Sequence, residues 1–238
     1  MGFEDRDYAR APQPGSPIMA AVRMWSVTNW LIAINIAVYV LDRFSEGAIT
    51  EWGAFIVGNV IYGFQFWRFI TFQFLHAGAS HLLFNMFALY FFGVMVESYL
   101  GPRRYLAFYL LCGISGAALF LVFWRLSVMH VYSADASLVG ASAGIFGVLI
   151  AAARIAPDTT VMLLFPPIPL RLKTLAWIML GIAVLTVVQS GYNAGGEAAH
   201  LGGAALGVLL IQKPQLLNVF DRIPGRRRKK RFPNSKWR

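Results

Sequence analysis

Apolar residues run along this chain in six long stretches, separated by short polar or Gly/Pro-rich breaks. A helix needs roughly 20 consecutive apolar residues to cross a bilayer. Six segments come close to that length: 25–41, 81–99, 105–126, 138–155, 172–189 and 198–211. The sixth is short, which suits a helix packed inside a bundle rather than one facing lipid all round. Gly101-Pro102 ends the second stretch, Pro157, Pro166, Pro167 and Pro169 divide the fourth from the fifth, and Gly195-Gly196 precedes the sixth. Between the first two stretches the pattern falters. Across 42–80 the apolar patches at 55–60 and 69–75 are broken by Gly58, Gly63 and Arg68. We read this region as a long first loop embedded in the interface, with a partial span as the alternative. The expectation is an all-α membrane protein: a six-transmembrane-helix bundle over 25–212, between an N-terminal tail at 1–24 and a polybasic C-terminal tail at 213–238.

Charge placement orients the bundle. Arg6, Arg10, Arg23, Arg103, Arg104, Arg154, Arg171, Lys173 and the ten basic residues beyond 212 fall on one side of this topology. Only Arg43, Arg68 and Arg125 fall on the other. Without the C-terminal tail the split is still eight to three. Basic loops stay inside, so both termini are expected to be cytoplasmic. Composition agrees with a bilayer environment: 58% of residues are hydrophobic, 13% are charged, and mean hydropathy is +0.58. Typical soluble domains carry about 25% charged residues. Nineteen Phe, nine Tyr and seven Trp supply rings of the kind that collect at membrane interfaces. Cys112 is the single cysteine, lies in an apolar run and reads as a core filler. The polar stretch through Arg23 lacks the pattern of a cleavable signal, so the first apolar segment reads as a retained anchor. The net charge of +10 comes largely from Arg226-Arg227-Arg228-Lys229-Lys230-Arg231 and its neighbours. This tail reads first as a solvated, topology-fixing segment and second as a site for anionic lipid. Nucleic acid is a distant third, because aromatic interleaving is confined to Phe232 and Trp237.

The chemistry-bearing residues sit inside the apolar stretches, where polar groups are expensive to keep. Ser142 lies in Gly140-Ala141-Ser142-Ala143-Gly144, a G-x-S-x-G sequence, but a polar loop rather than a strand precedes it. The strand-to-helix elbow of soluble hydrolases is therefore excluded. Taken alone, Gly140, Ser142, Gly144 and Gly147 read as a helix-packing surface. His200 changes that reading. It is followed by Gly203 and Gly207, a G-x-x-x-G that lets another helix approach closely. If that helix carries Ser142, serine and imidazole meet at the distance needed for proton transfer. Phe146, one turn after Ser142, falls on the same face and is placed to pack on the imidazole. His81 and Asn85 are four residues apart and share a helix face, both able to donate to a developing oxyanion. Zinc is the rival for that pair, but Asn85 is not a usual ligand and no Glu lies within the motif, so no metal or other cofactor is expected.

Together these residues resemble the rhomboid intramembrane serine proteases: Trp67-Arg68 in the first loop, His76 with His81-x-x-x-Asn85, Gly140-Ala141-Ser142, and His200 with Gly203-x-x-x-Gly207. The resemblance spans roughly residues 25 to 212. It implies a dyad of Ser142 as nucleophile and His200 as base and then acid. It implies an oxyanion hole made of the Ser142 backbone N–H and the His81 and Asn85 side chains. Arg68 and the first loop would be structural, and the fifth helix a gate for transmembrane protein substrates arriving from lipid. Ala143 departs from the pattern, standing where the family commonly has glycine, with its methyl expected to crowd the backbone near the oxyanion. Glu197 precedes His200 by three but is expected at the aqueous mouth as an ordinary solvated charge. Glu97 and Asp135 read as helix-end and loop charges. A non-catalytic relative that binds membrane clients and a transporter are the other classes. The first is disfavoured by the presence of both Ser142 and His200, the second by the lack of internal repeats. A bacterial plasma membrane is the expected location.

Overall fold

The computed structural model describes residues 25–128, 133–163 and 166–222. The N-terminal stretch and the basic run at 226–231 lie outside them. Among the described residues six helices of 14 residues or more make the body: α1 Val27–Phe44, α5 Ala79–Leu100, α6 Pro102–Arg125, α7 Ser142–Ile155, α8 Leu172–Val188 and α9 Ala194–Gln212. Four of them, α1, α5, α6 and α9, are long and apolar enough to cross a membrane. The sixth stretch is thus longer than its apolar pattern indicated. The short, engulfed helix is α7 instead, in which Ala143 through Ala153 are all buried. At 1.5 Å per residue its 14 residues rise about 21 Å.

Local chemistry sets the helix boundaries. Gly101, with φ +80°, closes α5, and Pro102 opens α6 one residue later, where its missing N–H costs nothing. The start of α1 is capped twice. Ser26 accepts from the Asn29 N–H, and the Glu97 carboxylate of α5 accepts from the Val27 and Thr28 N–H groups at 2.8 and 2.9 Å. The helix-end charge Glu97 therefore serves another helix's first turn, where free N–H groups and the macrodipole favour an anion. At the other end of α1 the buried Asp42 accepts from both the N–H and the hydroxyl of Thr50 at 2.8 Å.

The long first loop is built of short pieces: α2 Ala48–Gly53, β1 Phe55–Ile56, α3 Val57–Ile61, α4 Arg68–Thr71 and a 3-10 turn at Phe72–Phe74. None approaches the length of a span. Strand β1 pairs antiparallel with β2, Ser137–Leu138, so the fourth apolar stretch divides into a strand and a helix that begins only at Ser142. A second antiparallel pair, β3 Thr160–Met162 with β4 Pro169–Arg171, leads into α8. Residues Pro214–Arg222, read above as the start of the tail, form a 3-10 turn packed on α6. Its Leu217 is buried, and Asp221 accepts from Arg104 Nε at 2.9 Å. Helix α9 packs against both α6 and α7. Small residues allow this approach: a Cβ added at Gly202 would lie 2.6 Å from the Ser115 carbonyl oxygen of α6.

Candidate active site

Ser142 is the first residue of α7, so its N–H belongs to the first turn, whose donors have no acceptor within the helix. What delivers the chain to that point is the first loop. Beyond the β1–β2 pair, the Val57 N–H donates to Ala136 O at 3.0 Å, Gly58 N–H to Ala134 O at 2.8 Å, and Gly140 N–H to Phe72 O at 2.9 Å. Gly140 has φ +134°, and a Cβ there would sit 2.9 Å from the His81 ring. Only glycine meets both the conformation and the clearance.

The loop itself is anchored by Arg68, which is 3% exposed. Its guanidinium donates to Gln65 Oε1 at 2.6 Å, to Glu51 O at 3.0 Å and to Ala54 O at 2.5 Å. Burial lowers the guanidinium from its ordinary value, partly countered by Glu51, and it remains a cation. Trp67 beside it stacks on Trp52 with ring centroids 5.6 Å apart.

Helices α7 and α9 bring Ser142 and His200 together. Ser142 Oγ lies 2.7 Å from His200 Nε2, although 58 residues separate them. The contact depends on glycine. A Cβ at Gly203 would overlap the Ala143 carbonyl oxygen, and one at Gly207 would lie 2.7 Å from Gly147 Cα. Phe146 stacks on the imidazole, with centroids 4.1 Å apart and planes 8° apart. On its other nitrogen, His200 Nδ1 lies 2.8 Å from Glu197 Oε2. The two side chains are 13% and 18% exposed, so Glu197 is not the ordinary solvated charge expected of it. Its i, i+3 relation to His200 on one helix face was the available signal.

His81 and Asn85 on α5 face the same cavity as Ser142 and His200. Asn85 is buried, and its Nδ2 has no hydrogen-bond partner among the described residues. His76 stands behind, 3% exposed, its ring 5.1 Å from that of His81 in an edge-on arrangement. Burial first, and the neighbouring His81 second, bring His76 down to about 4, so its ring is neutral at physiological pH. The cavity, about 770 Å³, is walled by Phe84, Ala88 and Phe92 of α5 and by Leu175 and Met179 of α8. The cavity thus has a polar floor and apolar walls. The Ala143 methyl is seated against α6, where Gly116 leaves room: a Cβ at Gly116 would lie 2.6 Å from it. Among the described residues no three His, Cys, Asp or Glu side chains converge to hold a metal ion.

The chain was compared with known proteins. The model of the rhomboid domain matches residues 63–213. Rhomboid protease AarA of Providencia stuartii is 32% identical over 205 residues, covering 78% of this chain and 71% of that protein. RHOMBOID-like protein 7 of Arabidopsis thaliana is 31% identical over 172 residues, 72% of this chain and 51% of that protein. RHOMBOID-like protein 12, mitochondrial, from the same plant is 27% identical over 202 residues, 78% of this chain and 52% of that protein. The chain thus spans about half the length of these plant relatives. The domain match over most of the helical body, the protease-named relative and the apolar helices around the serine lead to one assignment: the chain belongs to the rhomboid family of integral membrane proteins.

Proposed function

We propose that this chain is an intramembrane serine endopeptidase that cleaves peptide bonds in or beside transmembrane segments of other proteins. The observation that carries the reading is the 2.7 Å contact between Ser142 Oγ and His200 Nε2 at the base of a cavity lined by hydrogen-bond donors. His200 takes the Ser142 proton as Oγ attacks the scissile carbonyl carbon. The negative charge that develops on the carbonyl oxygen faces the Ser142 N–H, the His81 ring and the unpartnered Asn85 amide. As the C–N bond breaks, His200 gives the proton to the leaving amine. Water then resolves the acyl-enzyme by the same path in reverse. A substrate helix has to unwind locally first, because its own hydrogen bonds shield the carbonyl. Phe146, Gly140, Gly203, Gly207 and Arg68 act by holding this geometry.

The same proposal takes all six helices of the body as spans, although α7 and α8, at 14 and 17 residues, fall short of a full crossing. An even number of spans puts both termini on one side, and the distribution of Arg and Lys makes that side the cytoplasm. Residues 25–212 form the protease domain between two cytoplasmic tails, the C-terminal one a solvated basic segment that fixes topology, with anionic lipid as its second reading. The proposed location is a bacterial plasma membrane, in keeping with the bacterial source of one relative, while another is named mitochondrial.

The test is cleavage of a single-span substrate by purified protein in detergent, beside Ser142→Ala and His200→Ala. Each substitution is expected to lower kcat by at least ~10³-fold. Retained cleavage in either one sinks the dyad. A fluorophosphonate probe should label the wild type and leave Ser142→Ala unlabelled.

A further inference from the structure

The Ser142–His200 contact leaves the other imidazole nitrogen to be explained. His200 Nδ1 lies 2.8 Å from Glu197 Oε2, one turn earlier on α9. An ionised carboxylate only accepts hydrogen bonds, so the proton of a neutral His200 belongs on Nδ1. Nε2 is then left with its lone pair facing the Ser142 hydroxyl, the arrangement a general base needs. Phe146 stacked on one face restrains tilting of the ring, and Glu197 restrains rotation within its plane.

The placement of Glu197 is specific. It lies in the first turn of α9, four residues after Asn193, which adopts φ +64°, and its N–H donates to the Asn193 carbonyl at 3.0 Å. Its side chain is 18% exposed, and among the described residues His200 is its ion-pair partner. A carboxylate whose only duty was to favour a helix start would gain most by reaching back toward the free N–H groups. This one is turned along the helix to a ring nitrogen.

We propose that Glu197 is a positioning residue for the Ser142–His200 pair, making the site a Ser–His–Glu relay in place of the bare dyad implied by the family resemblance; this rests on the reading of the site given above. Glu197 acts only as an acceptor. When Nε2 accepts the Ser142 proton, the imidazolium donates Nδ1–H to the carboxylate, which balances its charge until the proton passes from Nε2 to the leaving amine. Among the described residues lining the cavity, His81 and Tyr192 are the other titratable groups, and the His81 ring is placed to donate to the developing oxyanion.

The deciding measurement is the tautomer of His200, read by ¹⁵N-histidine NMR of the full chain in detergent at a pH where the ring is neutral. The chain has four histidines, and His200→Ala assigns the signal. In the wild type we expect Nδ1 to carry the proton. Glu197→Gln and Glu197→Ala should move the population toward Nε2–H, while Glu197→Asp keeps it on Nδ1. On a cleavable substrate, Glu197→Gln should lose on the order of 10²-fold or more in kcat with KM within about twofold, and Glu197→Asp should recover part of that loss. An Nε2–H wild type, or an unchanged tautomer in both Gln and Ala variants, overturns the proposal. A fall in thermal midpoint with the wild-type tautomer intact means that Glu197 only favours the helix start, and overturns it as well. The NMR arm needs no turnover, so its failure is distinct from a failure of Ser142→Ala to abolish cleavage.

Discussion

Replacing Gly203 by alanine tests whether helix packing and chemistry are one device. The added methyl would lie 2.8 Å from the Ala143 carbonyl carbon and 3.3 Å from its Cα, overlapping the carbonyl oxygen. Carbon atoms in contact prefer about 3.5–4.0 Å, so α7 and α9 must separate by roughly 1 Å. Neither neighbour can yield by rotating a side chain, because the obstruction is backbone. The separation falls on the 2.7 Å link between Ser142 and His200 and lengthens it to the limit of a hydrogen bond. Misplacement by about 1 Å costs on the order of 10²-fold in rate, and overpacking of this kind costs about 1–3 kcal/mol in stability. Gly207→Ala should behave similarly, since its methyl would meet Gly147 Cα at 2.7 Å and Gly147 O at 2.9 Å. Gly181→Ala on α8 is the control, having nothing within 4 Å of the new methyl, and gains about 0.5–1 kcal/mol of helix preference. The assays are the second-order rate of fluorophosphonate labelling at Ser142 and the unfolding midpoint in mixed detergent. A Gly203→Ala protein that labels at the wild-type rate refutes the argument, whatever its stability.

Arg68→Lys should cost about 1–3 kcal/mol, because one ammonium cannot serve Gln65, Glu51 and Ala54 together, and the abandoned carbonyls stay buried; an unfolding midpoint equal to the wild type would contradict this. His76 predicts an acid-side loss of stability. Its folded value of about 4 lies below the roughly 6.5 of an unfolded histidine, so the unfolded chain binds the proton first as pH falls. The stabilising effect of a neutral His76 is therefore complete above about 6.5, is lost between about 6.5 and 4, and sums to roughly 3 kcal/mol. Unfolding measured against pH in wild type and His76→Gln checks it: an equal slope in both proteins across that window removes His76 as the source.

The parts of the fold legible in sequence were those governed by a single local rule. Long apolar runs marked the six longer helices found among the described residues, and Gly101-Pro102 marked a boundary the structure places between α5 and α6. The meeting of α7 with α9 was legible because glycines three and seven residues after His200 leave one surface open to close approach. Long-range backbone pairing was not. Nothing in the local pattern of Ser137 and Leu138 distinguishes a strand from the first turn of the apolar stretch that follows, because their partners Ile56 and Phe55 lie some eighty residues earlier. Glu97 escaped for the same reason, since its partners Val27 and Thr28 lie about seventy residues away. Glu197 is a different case: carboxylates are on average exposed, and only its i, i+3 spacing to a titratable ring points to the contact with His200.

The brevity of α7 explains why so much of the first loop is committed to hydrogen bonds. With α7 taken as a span, as proposed above, a helix of about 21 Å in a hydrocarbon layer of about 30 Å would leave some 9 Å to be crossed by irregular chain. Irregular backbone at that depth is tolerated only where protein or a water-filled cavity satisfies its polar groups. Here the first loop satisfies them, through Phe55 and Ile56 paired with Leu138 and Ser137, and through Phe72 O accepting from Gly140. Ser142 thereby stands at a helix start, with open N–H donors beside it and a cavity before it, and on the proposed topology that start lies below the membrane surface. A full-length helix would have carried Ser142 to the surface, or buried it in mid-helix where its own N–H is already spent on the ladder. Arg68, at the start of α4 in the first loop, therefore belongs to the site's mechanics: it holds the loop that holds the strand that lets α7 begin where it does.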